Sequence, residues 1–332
     1  MKIIVPMAGR GSRLRPHTLT VPKPLIPIAG KPIVQRLVED ITAISKDSVD
    51  EIAFVIGAFG EEVERDLVQI AEGLGVKGSI FYQDQPLGTA HAILCAADAL
   101  EGEVVVAFAD TLFRADFEMD RSSDGTIWVK QVDDPGAFGV VKLNDSGTIT
   151  VFIEKPEEFV SDLAIIGIYY FKDGQNLRNE LQYLIDNDIR DKGEYQLTNA
   201  LENMKSKGLV FKPGEVRDWM ECGNKDVTVE TNSRVLGFIE EDLIDSSVVL
   251  ENSEIVGPCY IGPNVVLKNS KVGPNVSIGP DSIVKDCTIS NSIIQTDAQL
   301  NNLNIDNSMV GNHVRLSGDF RSISIGDYCT SE

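Results

Sequence analysis

The sequence predicts an α/β domain with a mixed, mainly parallel sheet, followed by a left-handed parallel β-helix. Two patterns predict this. From Met1 to about Phe238, apolar runs of strand length alternate with segments of helical spacing, the order of a largely parallel sheet with helices on both faces. From Ile244 the texture changes: Gly-Pro pairs recur, as in Gly257-Pro258, Gly262-Pro263, Gly273-Pro274 and Gly279-Pro280, and aliphatic residues return every five or six positions. Short strands joined by tight turns into stacked coils have this signature. Two domains are expected, 1–240 and 241–332.

Within the first, Ile3-Ile4-Val5 reads as a strand, Ile33–Ile44 as a helix, Glu51–Gly57 as a strand and Val63–Leu74 as a helix. Ile80–Gln83 reads as a strand, Ala90–Leu100 as an Ala-rich helix and Val104–Ala109 as a fully buried strand. Strand signals then dominate over Thr126–Val132, Phe138–Leu143, Thr148–Ile153 and Ala164–Phe171. Helical spacing returns near Leu177–Asp186, Tyr195–Lys207 and Val227–Phe238. Ligands of such sheets lie beyond the carboxyl ends of the strands, where the turn after Val5 and Asp110 both fall.

The chain of 332 residues has a formal charge of −21, which argues against nucleic acid and anionic membranes as partners. No apolar run reaches the ~20 residues of a membrane span, and no signal-peptide pattern opens the chain. Five scattered cysteines without a CxxC pair make structural zinc or a disulfide frame improbable and fit a reducing, cytoplasmic setting.

Against that acidic background, the first 36 residues carry Lys2, Arg10, Arg13, Arg15, Lys23, Lys31 and Arg36 and no acid. A turn after a strand exposes backbone N–H groups, glycine admits a ligand closely, and nearby cations complete an anion site. The same features also describe a solvated basic face. A dinucleotide fingerprint is excluded because its third glycine and distal acid are missing, and a Walker A loop because Gly-Lys-Ser/Thr is absent. Lys23 stands between two prolines, which predicts a stiff, extended segment suited to aiming an ammonium at a phosphate.

Met7-Ala8-Gly9-Arg10-Gly11-Ser12-Arg13-Leu14-Arg15-Pro16, followed by Pro22-Lys23-Pro24-Leu25-Ile26-Pro27-Ile28-Ala29-Gly30-Lys31-Pro32, resembles the signature of the sugar-phosphate nucleotidylyltransferases. Ala8 stands for that family's first glycine and Ser12 for its threonine. The resemblance implies a Rossmann-like nucleotidyltransferase domain that forms an NDP-sugar and pyrophosphate from an NTP and a sugar 1-phosphate. Glucose 1-phosphate with dTTP or UTP is the default on that resemblance. It implies a nucleotide site at Ala8, Gly9, Gly11, Ser12 and Arg13, with Arg13 and Lys23 acting on the triphosphate.

The motif Gln83-Asp84-Gln85-Pro86-Leu87-Gly88-Thr89 resembles the family's base-reading loop, so Gln83, Gly88 and Thr89 are expected at the nucleobase. Gln83 can present a donor and an acceptor together. A plain glycine turn with Thr89 as helix N-cap is the structural alternative. His91, on the helix that follows, reads as structural. Asp110, after a buried strand, is either a helix cap or, as the resemblance implies, a divalent-metal ligand. Trp219-Met220-Glu221-Cys222-Gly223 resembles the family's Trp-x-Asp-x-Gly, making Glu221 the second ligand, with Asp218 a rival. Two acids without a His/Cys cage suit Mg²⁺. The motif Glu154-Lys155-Pro156, with Gly139, Gly167 and Glu194, resembles the sugar-phosphate site; an exposed ion pair in a turn is the alternative for the first of these.

Two other functions remain open. One is acyl transfer on the repeat, alone or in a bifunctional protein, for which His313 is the sole candidate base. The other is a non-catalytic subunit that senses sugar nucleotides. Stacked coils offer flat aliphatic faces and open ends to be covered, so the repeat is expected to assemble a homo-oligomer of undefined number.

Overall fold

The computed structural model describes residues 1–332 apart from 10, 46–47, 116–120, 242, 319–320 and 331–332. Arg10, one of the seven early cations, therefore lies outside the described residues. By contacts the chain divides into two compact units, residues 1–9 with 37–219, and residues 10–36 with 220–332.

Secondary structure runs β1 (Lys2–Pro6), β2 (Pro27–Ile28), β3 (Lys31–Pro32), α1 (Ile33–Ile44), β4 (Glu51–Ile56), α2 (Glu61–Gly73), β5 (Lys77–Tyr82), α3 (Thr89–Cys95) and β6 (Val104–Ala107). It continues with β7 (Thr111–Arg114), β8 (Gly125–Gln131), β9 (Gly139–Leu143), β10 (Ile149–Glu154), β11 (Leu163–Phe171), α4 (Gly174–Asp186), α5 (Leu197–Ser206), β12 (Phe211–Glu215), β13 (Asp218–Glu221) and α6 (Lys225–Phe238).

Among the described residues of the first unit, the main path of a nine-stranded sheet runs β10-β9-β11-β6-β1-β4-β5, with β8 on β11 and β12 on β8. Strand β1 pairs in parallel with β4 on one side and β6 on the other. That central place explains why Ile3-Ile4-Val5 is a continuous apolar run: all three are fully buried, and both faces of such a strand are covered. Edge strand β5 begins at exposed Lys77 and ends at exposed Tyr82. Strand β11 enters antiparallel to β6 and makes the sheet mixed. Its pairing with β8 slips between Ile165 and Tyr169, around Gly167 at φ +87°.

The expected Ala90–Leu100 helix is shorter: α3 ends at Cys95 and a single 3₁₀ turn, Ala97–Ala99, follows. The strand expected to reach Ala109 stops at Ala107.

In the second unit the repeat forms three stacked parallel sheets of six, five and four strands, the left-handed β-helix expected from the hexapeptide texture. Cys259 pairs with Val276, Val276 with Ser292 and Met309 with Ser324, so the coils take 17, then 16 and at the last 15 residues. Inward columns such as Ile261, Ile278, Ile294 and Val310, or Leu267, Val284, Leu300 and Leu316, are at most 4% exposed. Burying an aliphatic side chain contributes about 1.5–3 kcal/mol, so the stacked columns hold the coils. Corners need positive φ, and Asn and Asp adopt it at least cost after glycine. Asn252, Asn264, Asn269, Asn275, Asp281, Asp286 and Asn291 all do so. They also stack: Asn252 donates to Asn269, and Asn269 to Asp286, each at 3.0 Å.

Helix α6 belongs to this unit and packs against β2 and the six-stranded sheet. Its fully buried Asn232 accepts from the Ala29 N–H at 2.9 Å and from Ser277 Oγ at 2.7 Å. Among the described residues no helix is long and apolar enough to cross a membrane.

Candidate active site

The order of the first unit's sheet reverses at β1. The chain leaves β1 for β4 on one side and later returns to β6 on the other, and such a reversal opens a crevice at the strands' carboxyl ends. Gly9 follows β1 and Asp110 follows β6. A Cβ built on Gly9 would meet no atom within 4 Å, so its backbone faces open space. Asp110 is exposed and is followed by β7, not by a helix; the helix-cap reading therefore fails. Burial raises the pKa of the Tyr169 phenol, and the charges of Glu154 and Asp110 raise it further. Both carboxylates thus act on one ring.

The loop before α3 is tied down atom by atom. Gln83 Nε2 donates to the Gly88 carbonyl at 3.2 Å and lies 3.1 Å from His91 Nδ1. Burial lowers the His91 pKa, which favours the neutral ring that can accept this bond. The amide nitrogen is thus engaged, leaving Oε1 as the group Gln83 can offer. Gly88, at φ +116°, leaves no room for a side chain: a Cβ would fall 2.5 Å from the Tyr195 carbonyl.

Thr89 does not cap its own helix, whose N-cap Gly88 carries no side-chain bond. Its hydroxyl instead accepts the N–H of Leu197 at 2.9 Å, the first residue of α5, and donates to Gln196 Oε1 at 3.1 Å. Gln196 Nε2 in turn donates to Glu194 at 3.0 Å. A helix start leaves N–H groups without intrahelical partners, and here one is satisfied by the first residue of another helix, 108 residues away. Sequence reasoning missed Gln196 because no local pattern marks it.

The sugar-side residues also converge. Gly139 and Glu154 are register partners in the β9–β10 hairpin, and a Cβ on Gly139 would lie 3.1 Å from Glu154 Oε2. Thr198 of α5 reaches the same oxygen at 3.5 Å. Lys155 stands at φ +41°, a region a long side chain occupies at a cost. Its N–H bonds to the Phe138 carbonyl at 3.1 Å, and its ammonium lies 3.6 Å from Glu154. Phe138 meets Trp219 edge-on at 4.9 Å, and the Trp219 indole donates to the Thr111 hydroxyl. That contact links the residue after Asp110 to the start of β9. Gly167 bonds through its carbonyl to the Phe108 N–H at 2.9 Å, and a Cβ there would touch Phe108 at 3.4 Å.

The second unit holds the cationic half of the motif. Gly11 adopts φ +60°, and a Cβ there would fall 2.7 Å from Lys23 Cβ. The Lys23 stem lies on this glycine, and the residue is only 7% exposed. The extended geometry expected of Lys23 is not found: Lys23-Pro24-Leu25 is a 3₁₀ turn, with proline where a helical start tolerates it. Ser12 and Arg13 are exposed, and the Arg13 guanidinium lies over Gly223, 3.7–3.8 Å from where a Cβ would stand. The Glu221 carbonyl accepts from Thr231 Oγ1 at 2.6 Å.

Within the same turn His17 is 1% exposed, its Nδ1 lacks a hydrogen-bond partner among the described residues, and its Nε2 lies 3.1 Å from Ser324 Oγ. Burial lowers its pKa to about 4, against an opposing pull from Asp327. The folded state therefore resists a proton that the unfolded chain accepts near pH 6.5. The stability this group supports is intact above pH 6.5 and is lost as pH falls towards 4, by about 3 kcal/mol in all. Denaturant melts of the protein and of His17→Asn at pH 7 and pH 4.5 should show a smaller acid loss in the variant.

The reversal edge of such a sheet is where α/β proteins take nucleotides. The chain belongs to the nucleotidyl transferase family, whose model matches residues 2–236, more than half of its length. It is 30% identical over 344 residues to the glucose-1-phosphate thymidylyltransferase of Streptomyces griseus, across 96% of this chain and 94% of that one. It is 31% identical over 245 residues to the low-salt glycan biosynthesis nucleotidyltransferase Agl11 of Haloferax volcanii, across 71% of this chain and 66% of that protein. To the bifunctional protein GlmU of Methanococcus maripaludis it is 30% identical over 270 residues, across 78% and 62%. The chain thus spans slightly under two thirds of the length of the last two.

Proposed function

We propose that the protein transfers a nucleoside monophosphate from an NTP to a sugar 1-phosphate. Residues 1–240 act as the catalytic domain and 241–332 as an assembly domain. A phosphate oxygen of the sugar 1-phosphate attacks the α-phosphorus, the bond to the bridging oxygen breaks, and pyrophosphate leaves with the electron pair. No protein nucleophile is needed, so the protein contributes positioning and charge neutralisation.

Ala8, Gly9, Gly11 and Ser12 line the triphosphate with their backbone, while Arg13 and Lys23 neutralise it. Lys155 places the attacking phosphate, and Glu154, Gly139, Gly167 and Glu194 receive the sugar. The donor set suits Mg²⁺, which takes one or two carboxylates together with phosphate oxygens. Asp110 is exposed at a strand end and is the first ligand, with Glu221 the second. Bound there, the ion would supply charge stabilisation to the phosphates.

The carrying observation is the convergence of Gln83, Gly88, Thr89 and Glu194 through one hydrogen-bonded chain beside the sheet's reversal edge. The Gln83 acceptor suits the ring N–H of thymine or uracil, and with the Streptomyces griseus relative's name it supports dTTP or UTP with glucose 1-phosphate. A pyrophosphate-release screen of four NTPs against a panel of sugar 1-phosphates tests this. Release with no pair sinks the reading, and tight binding without release would leave a sensing subunit.

A homo-oligomer built through the repeat accounts for the first coil, where Val249 and Leu250 stand 46% and 50% exposed although later coils bury Leu250's column. A cytoplasmic location agrees with five free cysteines. Acyl transfer has one observation in its favour: His313 Nδ1 is held by Asp297 at 2.8 Å, as a carboxylate orients a base. Release of free thiol from acetyl-CoA would establish it.

A further inference from the structure

We infer that the last coil of the β-helix is a positioning device for the triphosphate-binding turn, with Ser324, Gly326 and Asp327 holding Pro16, His17 and Thr20 in place. The inference rests on the reading of Gly11 to Lys23 as that turn. Three contacts join the two segments across some 307 residues of chain. His17 Nε2 lies 3.1 Å from Ser324 Oγ, and the Thr20 hydroxyl donates to Asp327 Oδ2. Between them, Gly326 backs onto Pro16 so closely that a Cβ would fall 2.9 Å from the proline Cβ. His17 is 1% exposed and Gly326 is buried, so the joint is packed at its centre, with Thr20 and Ser324 at its exposed rim.

The coil side of the joint is itself held. Ser324–Ile325 continues the six-stranded sheet. Asp327 Oδ1 accepts the Asn312 N–H at 2.7 Å, and Asn312 Nδ2 bonds to Gln295 Oε1 at 2.9 Å. The carboxylate that takes Thr20 is therefore referenced to the coil below it. On the other side the joint leads straight to the phosphate turn. Thr18 Oγ1 donates to the Gly11 carbonyl at 2.8 Å, and Gly11 carries the Lys23 stem. A shift of Pro16–Thr20 thus moves Gly11 and Lys23.

A turn held before the nucleotide arrives need not be ordered by it. Losing the joint should therefore weaken NTP binding while leaving the sugar-phosphate side untouched. The residues of the coil act through the turn and touch no substrate.

The test uses the full chain with Gly326→Ala, which presses a methyl against Pro16, and with Thr20→Val, an exposed change that keeps side-chain volume. Each should raise the KM for NTP about tenfold and leave the KM for sugar 1-phosphate near the parent's, and Thr20→Val should melt close to the parent. Thr20→Ser should restore the parent value. Amide exchange over residues 11–20 without nucleotide should quicken in both variants, a readout that needs no turnover. Unchanged NTP KM and unchanged exchange in folded Thr20→Val overturn the inference. If the parent releases pyrophosphate and Arg13→Ala raises the KM for NTP while these variants do not, only the inference fails. If Arg13→Ala leaves nucleotide binding unaltered, the underlying reading of the turn fails instead.

Discussion

Replacing Lys23 with alanine lowers kcat for pyrophosphate release by about 10²–10³ with the protein still folded. The expectation follows from where the lysine stands. It is 7% exposed and its stem rests on Gly11, so its charge acts from a partly dry setting, where an electrostatic contact with phosphate is stronger than in water. Lys23→Met keeps most of the stem's packing and removes the charge. It should therefore lose nearly as much rate as Lys23→Ala while melting close to the parent. A methionine variant with full turnover would show that the residue serves packing alone.

Asp110→Asn should show the second large loss, about 10² or more in kcat, with the Mg²⁺ concentration for half-maximal rate raised. Asparagine keeps the shape and removes the charge. Asp110 is exposed between β6 and β7, and a melt of the variant beside the parent separates any loss of stability from the loss of rate. Direct binding of Mn²⁺ to the complex with a non-reacting NTP analogue, weaker in the variant, gives a readout independent of turnover. Parent-like metal binding in Asp110→Asn would pass the role to Glu221 or Asp218.

Much of this arrangement can be read from local sequence. The buried run Ile3-Ile4-Val5 with Gly9 after it, and Val104 to Ala107 with Asp110 after it, announce two strand ends because burial on both faces leaves an unbroken apolar run. The corners of the repeat are equally legible, since positive φ selects Asn, Asp and Gly residue by residue. Thr89 looked like a local cap and instead serves α5, 108 residues on. Lys23 looked extended from its prolines and instead opens a 3₁₀ turn packed on Gly11. In both cases a local preference, the pre-proline bias for Lys23 and N-capping for Thr89, gave way in the folded chain.

Local sequence is enough for the two textures, the turns after β1 and β6 that carry Gly9 and Asp110, and the corner residues of the coils. Each of these depends on the periodicity or dihedral preference of neighbouring residues. Only the tertiary structure brings Gln83 Nε2 to the Gly88 carbonyl and His91, lays α6 on the coiled repeat and joins Thr20 to Asp327. The last of these depends on how coils of 17, 16 and 15 residues add up along the stack, and no local pattern encodes that sum.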